Sequence, residues 1–223
     1  MIDVAHATKT YDSPAGPVPV LRELDLKVGA GESVAIVGPS GSGKTTLLNL
    51  LGALDQPTSG SIAVDGVDIG ALDPAAAARF RNRSIGFVFQ LHYLLPQCTI
   101  LENVLVPRLA GGWDEDPVAT RARATQLLEQ VGLQDRLTHH PWQLSGGEQL
   151  RVAIARALIN QPKIVLADEP TGSLDPAAGD RVAELLLRNN ALAQVALVVV
   201  THNAGLAQRM QKIYRLEDGR LHE

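Results

Sequence analysis

The chain of 223 residues has a single cysteine, Cys98. One thiol cannot make an internal disulfide, and a cysteine-rich metal site is excluded. A reducing compartment is compatible with this usage. Charge is also in short supply. Lys and Arg total 20 against 24 Asp and Glu, a formal net charge of −4. That balance gives no support for nucleic-acid binding through bulk charge. No apolar run approaches the ~20 residues of a membrane span. The start, M-I-D-V-A-H-A-T-K-T-Y, lacks the charged-then-apolar layout of a secretory signal. The expectation is a soluble chain that reaches a membrane only through a partner. There is no internal repeat, and no low-complexity tract beyond Ala75 to Ala78.

What is present is a 45% apolar share, enough for a sizeable core. Ile2 and Val4 alternate with Asp3 and Ala5, and Leu24, Leu26 and Val28 with Asp25 and Lys27, as in edge or antiparallel strands. Ile62 and Val64 run into Asp65-Gly66, with Val67 and Ile69 beyond, which predicts a hairpin. Asp218-Gly219 predicts a second hairpin near the C-terminus. Four runs differ: V-A-I-V (34–37), I-G-F-V-F (85–89), I-V-L-A (164–167) and V-A-L-V-V-V (195–200). Near-continuous apolar strands predict a parallel α/β sheet covered on both faces. Each run ends in polar residues: Gly38 onward, Gln90, Asp168-Glu169 and Thr201-His202. Ligands bind at that end of open α/β sheets.

Between about 91 and 160 the pattern is helical, which predicts a lobe inserted into the sheet domain. Leu127, Leu128 and Val131 share one face, stopped by Gly132. Residues 107–117, P-R-L-A-G-G-W-D-E-D-P, predict a flexible bend before it. Residues 144–148 read L-S-G-G-E. Ser145 with Glu148 makes a capping box, and Val152, Ala155 and Ile159 follow at helical spacing. Gly146 and Gly147 in the first turn each cost roughly 1 kcal/mol against alanine. A bare backbone at a helix N-terminus suits an anion.

Residues 38–45, G-P-S-G-S-G-K-T, are the full G-x-x-x-x-G-K-[ST] pattern between a strand and a helical L-L-N-L-L. Gly38, Ser40, Gly41, Ser42, Gly43, Lys44, Thr45 and the next residue, Thr46, are the candidate phosphate-binding set. Lys44 would reach the β- and γ-phosphates and Thr45 would ligate Mg²⁺. The run 164–167 ends in two carboxylates. Asp168 suits a Mg²⁺ contact through water, and Glu169 suits a base or orienter of the attacking water.

Taken together these motifs resemble the ATP-binding cassette (ABC) ATPases, over nearly the whole chain. The resemblance implies an α/β, P-loop (RecA-like) core of residues 1–90 and 161–223, an antiparallel β subdomain and a helical subdomain over 91–160, all in one domain. It implies Gln90 as the Q-loop glutamine near Mg²⁺ or the water, His202 as the switch histidine and 173–175 (S-L-D) as the D-loop, with Asp175 acting across a dimer. Two cassettes meet head to tail around two ATP, so that Ser145, Gly146 and Gly147 of one cap the nucleotide of the other. Tyr11 lies where the family places an aromatic that stacks on adenine; an ordinary strand tyrosine is the other reading. Asn203 stands where aspartate is frequent, and Leu150 where arginine or glutamine is.

Residues 89–104, F-Q-L-H-Y-L-L-P-Q-C-T-I-L-E-N-V, resemble the lipoprotein-releasing and MacB-type efflux group of these ATPases. That implies a membrane permease partner of few spans with a large extracytoplasmic domain. It implies a peripheral place on the cytoplasmic face of the bacterial inner membrane. Tyr93, Leu94 and Leu95 then lie either near a groove for a short partner helix or in the packing of the helical lobe. An FtsE-like regulator of a membrane partner, without transport, is the alternative. A kinase or GTPase leaves L-S-G-G-E unexplained. Cys98 reads as a buried small hydrophobe, and His139 and His140 as solvated loop residues.

Overall fold

The computed structural model describes residues 1–110, 116–172 and 174–223. The antiparallel part comes first. Strands β1 (Ile2–Tyr11) and β2 (Val18–Val28) pair from Ile2↔Val28 to Tyr11↔Val18, and β4 (Ser59–Val64) lies on the other side of β1. Asp65 and Gly66, both at positive φ, turn the chain from β4 into β5 (Val67–Asp68). The strand stops at Asp68, so Ile69 is not part of it: the Asp68 carboxylate accepts from Gly70 N and opens a 3₁₀ turn over Ile69–Ala71. This sheet has the order β2-β1-β4-β5.

The four apolar runs form the parallel core of a second sheet: β3 (Ser33–Val37), β6 (Ile85–Val88), β7 (Ile164–Asp168) and β8 (Ala196–Val200). The strands β9 (Lys212–Glu217) and β10 (Arg220–His222) complete it in the order β10-β9-β3-β8-β7-β6. Asp218 and Gly219, again both at positive φ, make the β9–β10 turn. Both faces are covered, and side chains alternate between two cores. Val34, Ile36, Ile164, Leu166, Val198 and Val200 face the β1–β2–β4 sheet and helix α1 (Lys44–Leu51). Ala35, Val165, Ala167, Leu197 and Val199 face α5 (Gly146–Leu158), α6 (Pro176–Ala193) and α7 (Ala204–Ala207). This explains why these strands read as unbroken apolar runs.

Helix α2 (Pro74–Ser84), capped by Asp73, precedes β6. Helices α3 (Ile100–Leu109), α4 (Pro117–Gln130) and α5 lie between β6 and β7. Pro107, expected in a bend, is inside α3; most of that expected bend, residues 111–115, lies outside the described residues. Val131 follows α4 and is buried, with Gly132 at φ +71 closing the helix. Helix α5 has two apolar faces. Leu150, Ile154 and Ala157 enter the sheet core, while Val152 and Ala155, with Ile159 just beyond the helix, pack on α3 and α4. Full burial of Leu150, Val152, Ile154 or Ile159 is worth about 1.5–3 kcal/mol each. The Leu150 side chain is wholly buried, so an apolar residue fits this position. At Gly86 an added Cβ would lie 2.5 Å from Ala157 O, so only glycine lets α5 approach β6 this closely.

Candidate functional site

The site is built on the carboxyl ends of β3, β7, β8 and β6. The loop 38–43 leads from β3 into α1. Asp73, Thr99, Asp116, Ser145, Asp175 and Asn203 each cap a helix with their side chain, but α1 begins after Gly43 (φ +100) with no side-chain cap. Its first N–H groups are thus available to an anion. Ser42 Oγ is buried in the same loop without a hydrogen-bond partner, and such a group calls for one. Gly38 leaves no room for a Cβ, which would meet Leu216 O at 2.3 Å and Ser42 Oγ at 2.9 Å. Ser40 and Gly41 (φ +79) are at the exposed tip. Lys44 Nζ donates to Gly38 O (2.9 Å) and Pro39 O (3.0 Å).

Thr45, in the first turn of α1, donates from Oγ1 to Asp168 Oδ2 at 3.2 Å. Asp168 ends β7, and its carboxyl is held above the usual range, first by burial and also by the Glu169 charge beside it. The Thr45 hydroxyl and the Asp168 carboxylate, in contact with each other, are hard oxygen donors. This set fits Mg²⁺, which is held by one or two carboxylates together with substrate phosphates rather than by a protein cage. Among the described residues no cluster of three His, Cys, Asp or Glu side chains offers a rival metal site. Gln90 sits in a turn past the end of β6, and its Nε2 is 3.8 Å from where a Gly172 Cβ would lie, beside the chain leaving Glu169.

Glu169 is a non-glycine residue at φ +44, a conformation that costs energy and is held by its surroundings. Its N–H donates to Val200 O (2.9 Å) and so fixes it to β8. Three donors converge on the carboxylate. Thr201 Oγ1 (3.0 Å) and His202 N (3.2 Å) donate to Oε2, and His202 Nδ1 lies 2.8 Å from Oε1. An ionised Glu169 only accepts, so the Nδ1 of His202 carries the proton. Thr201 was not among the expected site residues. Its position next to His202 was the only signal, since nothing in a sequence marks a carboxylate partner 32 positions away. Asn203 caps α7 by accepting from Leu206 N (3.1 Å), as an aspartate would.

Tyr11 ends β1. Its hydroxyl donates to Asp55 Oδ2 (2.7 Å), and the side chain of Thr46 on α1 lies near it. The ring therefore stands beside the P-loop helix.

Ser145, Gly146 and Gly147 are elsewhere. Ser145 caps α5 in a full capping box with Glu148. The space beside Gly147 is bounded by Leu174 and Ala178, not by the P-loop. Asp175 caps α6 by accepting from Ala178 N (2.9 Å), while Ser173 lies outside the described residues. On another face an open groove of about 480 Å³ is lined by Ile85, Phe87, Phe89, Tyr93, Val106 and Arg156, among others. Phe87 and Phe89 stack at 5.3 Å, and Tyr93 meets Phe89 edge-on. Tyr93 is exposed, as are Leu91 and Leu95, whereas Leu94 packs against the α3–α4–α5 core. Cys98 is half-buried rather than buried. His139 and His140 are half-buried too. Arg136 Nη1 lies 3.0 Å from His139 Nε2, and His140 stacks on Trp142.

A P-loop, a strand-end carboxylate pair and a Glu–His couple on one parallel sheet define a nucleotide hydrolase, and the comparisons agree. The family model of the ABC transporter matches residues 21–172, and the chain belongs to that family. It is an ATPase of that type, with ATP and Mg²⁺ as its nucleotide and metal. Among its relatives are two lipoprotein-releasing system ATP-binding proteins: LolD 1 of Rhodopirellula baltica and LolD of Geobacter metallireducens. The first is 51% identical over 222 residues, 99% of this chain and 96% of the relative. The second is 52% identical over 221 residues, 99% and 97%. The dimeric structure of the bacterial ABC transporter cassette MJ0796 superposes with a TM-score of 0.92 at 41% identity, covering 100% of this chain and 97% of that one. A post-hydrolysis dimer of the same cassette, bound to ADP and Pi, gives a TM-score of 0.92 at 40% identity, with the same shares covered.

Proposed function

We propose that this chain is the ATP-hydrolysing subunit of a lipoprotein-releasing transporter, acting as a head-to-tail pair of cassettes on the cytoplasmic face of a bacterial inner membrane. Membrane attachment runs through a permease partner; no helix among the described residues is long and apolar enough to cross a membrane. That partner has few spans and a large extracytoplasmic domain. Residues 1–90 and 161–223 act as the nucleotide-binding core and 91–160 as the helical lobe.

The loop 38–43, the uncapped N–H groups of α1, Lys44 and Thr46 hold the phosphates, and Ser42 Oγ gains its missing partner there. Mg²⁺, when bound, neutralises charge developing on the β- and γ-phosphates. Thr45, Asp168 and Gln90 would hold it. Glu169 accepts a proton from the attacking water, and Thr201 and His202 fix its carboxylate for that task. Gln90 relays the state of the site to the helical lobe. Asp175 acts across the dimer, and Tyr11 stacks on adenine.

One observation carries the dimeric reading. A Cβ at Gly146 would meet nothing within 4 Å, and at Gly147 only ordinary contacts at 3.6 and 3.8 Å. The single chain has no steric need for either glycine, though each costs its helix roughly 1 kcal/mol. The demand for bare backbone comes from outside the chain, and a nucleotide held by a second copy supplies it. The groove with exposed Tyr93 at its rim takes a short cytoplasmic helix of the permease.

The test is a Glu169→Gln variant isolated with Mg-ATP from its own membranes. Recovery of a dimer with a permease of few spans and a large outer domain supports the proposal. Co-isolation of division factors would favour regulation without transport. A dimer with no membrane partner, under conditions that preserve known complexes, would refute a transporter role.

A further inference from the structure

Tyr11 is tied down more firmly than a strand-end tyrosine needs to be. Asp55, in the turn that follows α1, accepts from the Tyr11 hydroxyl on Oδ2 (2.7 Å) and from Lys9 Nζ on Oδ1 (2.6 Å). Its Oδ1 also accepts from Gln56 N (2.7 Å), and Lys9 Nζ donates to Gln56 O (2.8 Å). Lys9 and Tyr11 are two apart on β1 and so share a face of the strand. The Lys9 ammonium stands over the Tyr11 ring, 4.7 Å from its centroid, within cation–π range. Its side chain is only 11% exposed, a degree of burial a lysine tolerates when paired.

The charges close among themselves. Burial pushes the Asp55 carboxyl up, but the hydrogen bonds from Lys9, Tyr11 and Gln56 N outweigh it and hold the group below its usual range. Burial and then the bond to Asp55 push the Tyr11 phenol up, so it stays a neutral donor. Lys9 is thereby spent on Asp55 and on the ring rather than held for a phosphate. It covers one face of a ring that is 39% exposed overall. A flat partner would stack on the opposite face, and the ring orientation is fixed by a hydroxyl bond at one end and an ammonium above it.

We infer that Asp55 and Lys9 are positioning residues for the nucleotide base, holding the Tyr11 ring so that a purine stacks on the face opposite Lys9. The inference rests on the stacking role of Tyr11 proposed above. Without Asp55 the phenol loses its anchor, the lysine loses its counter-charge, and stacking must pay for ordering the ring. The effect belongs to the base alone, because the hydrogen bonds of Asp55 and Lys9 go to each other, to Tyr11 and to Gln56, and not to residues 38–46. A ligand with the phosphates but no base should not register it.

The experiment measures affinity of the isolated chain for Mg-ATP and for Mg-tripolyphosphate, in the wild type and in Asp55→Ala, Asp55→Asn, Tyr11→Phe and Tyr11→Ala. Asp55→Ala is expected to weaken ATP about tenfold, the scale of one well-oriented aromatic contact, and to leave tripolyphosphate unchanged. Asp55→Asn, which still accepts from the phenol, should recover part of the loss. Tyr11→Phe should weaken ATP and show no further loss when combined with Asp55→Ala, because both remove the same bond. Equal weakening of both ligands in Asp55→Ala would make Asp55 a general support of the P-loop and overturn the inference. Full ATP affinity in both Tyr11→Phe and Asp55→Asn would also overturn it, even if Asp55→Ala fails to fold. If Tyr11→Ala binds ATP as the wild type does, the stacking role itself fails. If Tyr11→Ala alone is impaired, stacking stands and the positioning role falls.

Discussion

Arg156 of α5 donates from Nη1 to the main-chain carbonyl of Tyr93 at 2.7 Å, across 63 positions of sequence. Its Nη2 bonds the carbonyl of His92. His92 (φ 60) and Tyr93 (φ 47) are consecutive non-glycine residues in the left-handed region, just past Gln90. One guanidinium on the helix that Ser145 begins thus holds a strained turn between the nucleotide site and the exposed groove. Arg156→Met leaves both carbonyls without that donor. The Tyr93 carbonyl is exposed and can turn to water, but leaving the part-buried His92 carbonyl unsatisfied costs about 1–3 kcal/mol. The unfolding temperature should fall by roughly 4–8 °C for a loss of ~2 kcal/mol in a domain of this size, as read by thermal denaturation. Arg156→Lys, with one donor head for two carbonyls, should fall between.

His92 is buried, and burial, with the Arg156 charge nearby, holds its imidazole below the ordinary value of 6.5. The folded state therefore keeps it neutral where the unfolded chain protonates it. That stability is complete above the unfolded pKa and is lost as pH falls through the folded one. Urea unfolding should show stability dropping from pH 7.5 towards 5.5 in the wild type, with a shallower drop in His92→Gln.

Thr201 is fully buried, and its hydroxyl anchors the Glu169 carboxylate. Thr201→Val keeps the shape and removes one of three donors. Turnover should fall by about tenfold, the cost of ~1.4 kcal/mol in the barrier, while ATP binding to the isolated chain holds. Steady-state hydrolysis and equilibrium binding, measured side by side, separate the two.

Ser145→Arg places a long cation at the mouth of α5 and removes its cap. Hydrolysis should be abolished while nucleotide binding to the single chain is retained. Loss of binding in that variant would count against a site shared between two copies. The missing cap alone costs about 0.5–2 kcal/mol, which unfolding measurements will report separately.

Leu94 and Tyr93 are neighbours with different surroundings: Leu94 packs against the α3–α4–α5 core and Tyr93 is exposed. Leu94→Asp should destabilise the lobe by about 0.5–3 kcal/mol, because it places a charge where a partly buried leucine packs. Tyr93→Asp should leave the unfolding transition in place and impair recovery of the membrane partner.

Much of this was written locally. G-P-S-G-S-G-K-T after V-A-I-V gives the glycine-rich loop that leads from β3 into α1, because glycine conformations and helix starts are short-range matters. Asp-Gly at 65–66 and 218–219 gives two hairpin turns for the same reason. Unbroken apolar runs announced a parallel sheet, and the capping box at Ser145 is a contact across three positions. Other features had no local cause. That α5 packs two faces at once, that Thr201 turns to Glu169, that Asp55 holds both Lys9 and Tyr11 and that Arg156 grips the His92–Tyr93 turn all depend on elements distant in sequence meeting in space. A leucine at 94 and a leucine at 95 look alike in sequence; only packing decided that one is core and the other surface. Periodicity, caps and turns are set by neighbours a few residues apart. Long-range partners are set by how sheets and helices close on a shared core, and that closure is decided only in the tertiary structure.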